Sequence, residues 1–174
     1  MHIRESLIAE HSKSQTDRIV AYIGNDPQRF EELVKIFLQD EYRVVQRAAW
    51  ALSISVILHP ELIKKYLKKI VLNLKKKDLH NAVKRNTVRL LQHIEIPETL
   101  QGEVMNICFD YIADPAEAVA VKAFSLTILQ RLAGQYPEII PELSILIEEQ
   151  MPHQTAAFKS RGRKVLAAFQ KQRH

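Results

Sequence analysis

Four segments of this chain, VVQRAAWALS (44–53), AVKRNTVRLL (82–91), AVKAFSLTIL (120–129) and AFKSRGRKVL (157–166), share one frame. Their lead residues Val45, Val83, Val121 and Phe158 stand 38, 38 and 37 residues apart. A fixed period of this length restricts the fold more than composition can, because each copy must be one supersecondary unit that stacks on the next. Apolar residues recur at offsets 0, 7, 8 and 11 or 12, as in Val83, Leu90, Leu91 and Ile94, or Phe158, Val165, Leu166 and Phe169. That spacing lays a stripe along a helix of 3.6 residues per turn and cannot serve a strand of period two. Offset 4 is always small: Ala49, Thr87, Ser125 and Gly162. A small residue in mid-stripe lets a neighbouring helix come close, so Gly162 is expected to accept alanine but not leucine.

Each copy is preceded by a second helical segment: RFEELVKIFL (29–38), LIKKYLKKIVLNL (62–74), LQGEVMNICFDYI (100–112) and IIPELSILIEEQM (139–151). Leu33, Val71, Phe109 and Leu146 keep the same 38, 38, 37 register there. Pro60-Glu61, Pro97-Glu98 and Pro137-Glu138 open three of these segments, and NDPQ (25–28) opens the first. Proline suits the first turn of a helix, and an early carboxylate suits its positive end. Short turns at QDEY (39–42), KKDLH (76–80), ADPAE (113–117) and MPHQ (151–154) separate the two helices of each unit. Before them, residues 4–24 read as a shorter pair whose second helix is capped by Ser14, with Asp17 three residues on, and stopped by Gly24.

This pattern of two helices in about 38 residues resembles HEAT repeats, which share the two-helix unit, the Asp or Pro turn and the V-x-x-x-small frame. The likeness covers about residues 25–172. It implies an all-α fold, a right-handed α-α superhelix of about four helical pairs plus an N-terminal capping pair. The expected organisation is one domain over 1–174, with a cap at 1–24 and repeats at 25–58, 59–95, 96–134 and 135–174.

Composition narrows the class further. The single cysteine, Cys108, excludes an intramolecular disulfide and a paired-thiolate metal site, and it fits a reducing compartment. The longest apolar run, AAWALSISVIL (48–58), falls far short of the roughly 20 residues that span a bilayer. The N-terminal MHIRESLIAEHSKS lacks the apolar core of a signal peptide. A soluble cytoplasmic protein without a membrane partner is expected.

Residues that could carry chemistry are sparse. Cys108 lies on an apolar helical face, where free cysteine behaves as a small hydrophobe. No two of the seven histidines stand at i, i+4, so the HExxH zinc helix is absent, and His59 reads as a helix-end residue before Pro60. Asp110, Asp114 and Glu117 form a carboxylate cluster, but Asp114 before Pro115 reads as a helix cap. No glycine-rich phosphate loop, nucleophile elbow or Cys-His pairing occurs. The reading assigns no catalytic residue, no metal ligand and no cofactor.

The charge distribution is more informative. The four frame segments hold nine basic residues and no Asp or Glu. Offset 1 carries Gln46, Lys84, Lys122 and Lys159, and offset 2 adds Arg47 and Arg85. By contrast, residues 96–150 hold nine acids against two bases. In the repeats this chain resembles, the second helix lines the concave surface, which implies a basic inner face. Arg47, Lys84, Arg85, Arg89, Lys122, Lys159, Arg163 and Lys164 are the candidate binding residues, with Trp50 on the flank of the stripe as an aromatic anchor or a packed core residue. Such a face suits an acidic partner, either a protein surface or a nucleic acid backbone. The expected function is thus a non-catalytic macromolecule-binding scaffold. The alternative implied by the resemblance is an alkylpurine DNA glycosylase on HEAT-like repeats, which would need a carboxylate beside Trp50 to handle a cationic base.

Overall fold

The computed structural model of the protein describes residues 1–171. Among the described residues there are ten α-helices, three short 3-10 segments and no strand. Helices adjacent in sequence pack together in α1 (Ile3–Ala9) with α2 (Lys13–Ile23), α3 (Pro27–Gln39) with α4 (Tyr42–Leu58), α7 (Glu98–Ala113) with α8 (Val119–Leu132), and α9 (Ile140–Gln150) with α10 (Ala156–Lys171), while the short α5 (Leu67–Asn73) precedes α6 (Asn81–Leu91), which packs chiefly on α4. The chain divides into two compact units, Met1–Glu95 and the segment from Ile96 onward. That division falls at a boundary between two repeats of the sequence pattern.

In the first unit, Ser12 caps α2 by accepting the Gln15 N–H at 3.1 Å. The cap is two residues ahead of the expected Ser14, which lies in the first helical turn instead. Gly24, at φ +49°, takes the left-handed conformation that ends α2. The Asp26 carboxylate accepts from Gln28 N and Arg29 N at 2.9 and 3.1 Å, and Pro27 follows as first helical residue of α3. The Arg29 amide bond is the main reason that this carboxyl lies below the usual range. Arg4 forks onto both oxygens of Asp40 at 2.7 and 3.0 Å, tying α1 to the end of α3. Only Asp40 and Glu41 separate α3 from α4. Phe30, Leu33, Phe37, Ala48, Leu52 and Val56 are sealed between these two helices and their neighbours.

The second pair departs from the expected pattern. Segment 62–74 is not one helix: a 3-10 turn covers Pro60–Ile63 and α5 has only seven residues. The break falls at Tyr66 (φ −108°, ψ −11°), whose N–H bonds Ile63 O at 2.8 Å and whose hydroxyl donates to Glu31 of α3 at 2.9 Å. Holding that ring toward α3 keeps the backbone out of a continuous helix. The following turn passes through Asp78 at φ +57°, and His80 Nδ1 accepts from Ala82 N at 2.9 Å to cap α6.

In the second unit α8 packs against both α7 and α10, and α10 packs against α9. Asp114 does not cap α8. Its carboxylate accepts from Ala116 N at 2.8 Å within the turn, and α8 starts after Ala118 without a side-chain cap. Cys108 is fully buried, as its place on an apolar stripe suggests; burial pushes the thiol up to about 12, and the nearby Ser125 hydroxyl opposes the rise.

The frame survives in detail. Offset 4 is buried in every copy, at Ala49, Thr87, Ser125 and Gly162, and offset 7 likewise at Leu52, Leu90, Ile128 and Val165. Two positions slip: Val45 is half-buried with Val44 buried in its place, and Leu166 at offset 8 is half-buried.

Gly162 is tighter than the frame alone suggests. A Cβ placed there would lie 2.9 Å from the branched methyl Cγ2 of Ile147 on α9, a fully buried side chain with little room to retreat. Gly162→Ala is therefore expected to cost about 1 kcal/mol, overpacking outweighing the gain in helix propensity. Gly102 supplies the control: it is exposed within α7 and a Cβ there meets nothing within 4 Å. Gly102→Ala is expected to stabilise by about 0.5–1 kcal/mol, and urea melts of the two variants will show opposite shifts. The buried thiol yields a second test. An unfolded chain loses the Cys108 proton near 9.0 whereas the folded chain keeps it to about 12, so this group's contribution to stability is complete below 9.0 and is lost as pH rises between these values. A Cys108→Ala variant will lack that alkaline slope, and a thiol reagent will label the parent only on unfolding.

Candidate functional site

The frame residues become a surface only where neighbouring helices leave them open. In the first unit α4 packs against α1, α2, α3 and α6. Eight of its positions are buried, among them Ala48, Ala49, Leu52 and Val56. What stays open from residue 46 onward is one face of the helix: Gln46, Arg47, Trp50, Ile54, Ile57 and Leu58. Trp50, Ile54 and Leu58 follow at i, i+4 and i+8, so they form a row. Leu58 is 59% exposed, and Trp50, Ile54 and Ile57 are half-buried. The neighbouring α6 opens a different set. Asn81 and Arg85 are exposed, while Lys84, Arg89 and Gln92 are half-buried. Arg85 and Arg89 stand one turn apart on a single face. The α4–α6 surface is therefore an apolar row on one helix beside a basic row on the next, with no acidic side chain on either helix.

Arg47 does not belong to the basic row. Its Nη1 donates to Leu7 O and Ile8 O at 2.7 and 2.9 Å, closing the last carbonyls of α1. Its guanidinium is engaged in holding the N-terminal pair to α4. Trp50 meets the same pair: its ring lies 6.1 Å from that of His11 at an interplanar angle of 52°. The tryptophan is thus packed along one edge and open along the other.

In the second unit the expected ladder breaks. Lys122 is fully buried rather than presented to solvent. Its Nζ donates to Gln150 Oε1 at 2.9 Å, and Gln150 Nε2 in turn donates to Ile112 O, so a polar chain links α8, α9 and the end of α7. Desolvation lowers this amine below its ordinary range, with Asp114 and Glu117 opposing the shift. Lys122 is a structural residue. The basic face of this unit belongs to α10 alone, where Arg163 and Lys164 are exposed and Lys159 is half-buried. Arg161 donates to Thr127 Oγ1 at 2.6 Å and braces α10 on α8.

A scan against family models matches the chain as a HEAT repeat domain over residues 3–169. The chain belongs to the HEAT repeat family. Neither a curated protein nor a solved structure matches it. HEAT repeats serve generally as macromolecular interaction scaffolds. No group of three or more histidine, cysteine or acidic side chains among the described residues could hold a metal, and no helix among them is long and apolar enough to cross a membrane.

Of the expected binding residues, Arg85, Arg163 and Lys164 are exposed and Arg89 half-buried, while the open apolar residues Ile54, Ile57 and Leu58 were not singled out from the sequence. The signal was present. A helix carrying AAWALSISVIL is apolar around most of its circumference, and such a helix must be covered on every side or leave an apolar face open.

The buried lysine sets a test of this arrangement. Lys122→Met is expected to leave stability unchanged or raise it by about 1 kcal/mol, because the charge needs no longer be desolvated. Lys122→Glu is expected to cost about 3 kcal/mol or more, placing an unpaired carboxylate among Asp114 and Glu117. Because the folded chain holds this proton less tightly than the unfolded one, the penalty is present at neutral pH and fades as pH rises toward 10.5. Thermal melts of parent and Lys122→Met across that range will converge.

Proposed function

We propose that this HEAT repeat chain is a non-catalytic, cytoplasmic scaffold that holds an acidic segment of another protein on the open faces of its second helices. The α4–α6 surface of the first unit is the principal site, with Arg85 and Arg89, aided by Lys84, receiving carboxylates. The observation that carries this reading is the apolar row Trp50, Ile54, Ile57 and Leu58 beside the arginines. A phosphate backbone would use the charge and leave the row wet, whereas an amphipathic acidic helix would use both. Apolar side chains packed into the row would supply affinity, and the arginines would steer and orient the segment. Arg163 and Lys164, with Lys159, form a separate basic face on α10. A repair glycosylase would require a carboxylate beside Trp50, and neither α4 nor α6 carries one, which favours the scaffold.

Fluorescence anisotropy will test the assignment with two probes: a synthetic helix with leucine on one face and glutamate on the other, and a short DNA in single- and double-stranded form. The acidic helix is expected to bind, Arg85→Glu with Arg89→Glu to weaken it at least tenfold, and Ile54→Ser to weaken it measurably. Binding of DNA with a salt slope of about −0.9 per phosphate, and none of the peptide, would give the site to nucleic acid instead. If neither probe binds at low salt, the basic face is solvated surface only.

A further inference from the structure

A second open surface lies in the other unit, on its first helices, and has the opposite sign. Between α7 and α9 runs a groove of about 490 Å³ with Phe109, Ile145 and Leu146 in its apolar lining. Ile145 is 57% exposed, while Phe109 and Leu146 are half-buried. The last two matter because of their register. They occupy the repeat position held in the first unit by Leu33 and Val71, and both of those are fully buried. One position of the repeat is thus sealed twice and open twice, so the open pair is not a general property of the frame.

Asp110, Glu142 and Glu149 line the same groove. None of the three has an ion-pair partner among the described residues. Residues 96–150 supply only two bases, Lys122 and Arg131, and the first is buried with its amine on Gln150. The two helices that form this groove, α7 and α9, carry no lysine or arginine of their own to neutralise these carboxylates. An apolar floor rimmed by unpaired carboxylates is complementary to a segment with bulky apolar side chains on one face and lysine or arginine at its flanks.

We infer that the α7–α9 groove docks a basic amphipathic helix of a partner protein. Its apolar side chains lie over Phe109, Ile145 and Leu146, and its basic residues pair with Asp110, Glu142 and Glu149 across the rim. This surface differs in unit, helix row and charge from the α4–α6 face, and the inference does not rest on the function proposed for that face.

The test uses the full chain and a labelled synthetic helix with leucine on one face and lysine on the other, followed by anisotropy at low and moderate salt. A matching peptide with every leucine replaced by serine reports charge attraction alone. Binding of the leucine peptide is expected, with the serine peptide at least tenfold weaker. Ile145→Asp is expected to lower affinity at least tenfold, and so is Glu142→Lys combined with Glu149→Lys. These are exposed positions, and circular dichroism will confirm that each variant keeps its helices. Arg85→Glu with Arg89→Glu is expected to retain this binding, which separates the two surfaces. Equal binding of the serine peptide would overturn the proposal in favour of diffuse charge attraction. Undiminished affinity in Ile145→Asp would place the peptide elsewhere and overturn it too. Sedimentation velocity of the chain alone closes the test: a monomer agrees with the proposal, and a dimer that Ile145→Asp dissolves would make a second copy the occupant and overturn it.

Discussion

Close approach of neighbouring helices is the constraint from which the other features follow. Ala49, Thr87, Ser125 and Gly162 remove side-chain bulk at the same point of each second helix, and every one of them is buried. With neighbours drawn in on its flanks, a helix such as α4 has eight buried positions and keeps a narrow strip for solvent. Whatever the chain binds through its second helices must be read from that strip. The strip on α4 is mostly apolar, and the one on α6 is basic. The difference lies in a handful of positions that the packing does not constrain.

Periodicity made the architecture legible, and it did so because period is a backbone property. The helices from α3 to α10 and the buried offsets follow from it, while α1 and α2 lie outside the period and the break ahead of α5 is not announced by it. Side-chain destinations are another matter. Lys84, Lys122 and Lys159 share offset 1, yet the first and last are half-buried and the middle one is sealed against Gln150. Nothing in the third copy distinguishes Lys122 from its counterparts, since the residue that receives it lies 28 positions away. Arg47 fails as a binding residue for a similar reason: the carbonyls it closes belong to α1, outside the repeat altogether. Long side chains reach into neighbouring elements, and a pattern within one helix cannot say which element will receive them. Short-range readings failed by smaller margins, as with Ser12 displacing Ser14 at the cap of α2.

Charge in this protein is sorted by helix row as well as by stretch of sequence. On α10 the exposed bases stand without an acid on the same helix, while α9 carries Glu142, Glu148 and Glu149. Sorting of this kind weakens self-neutralisation within a row and leaves each row able to attract the opposite sign. Stability does not require it, because exposed ion pairs contribute little. Within the first unit, Lys13 with Asp17 on α2 and Lys35 with Glu31 on α3 are pairs of this exposed kind.

The broken second pair has a consequence for motion. Helix α5 has seven residues, below the length at which a helix supports itself, and its break at Tyr66 interrupts the cooperative ladder. Helix α6 leans chiefly on α4. Amide protons of α5 and of the turn through Asp78 should accordingly exchange by a local opening far cheaper than global unfolding, while those of α4 exchange only with the whole unit. Because α6 leans on α4 and not on α5, the basic row stays with the apolar row on the rigid side when α5 opens. A ligand on the α4–α6 face would then meet both rows already in place, whatever α5 does behind them.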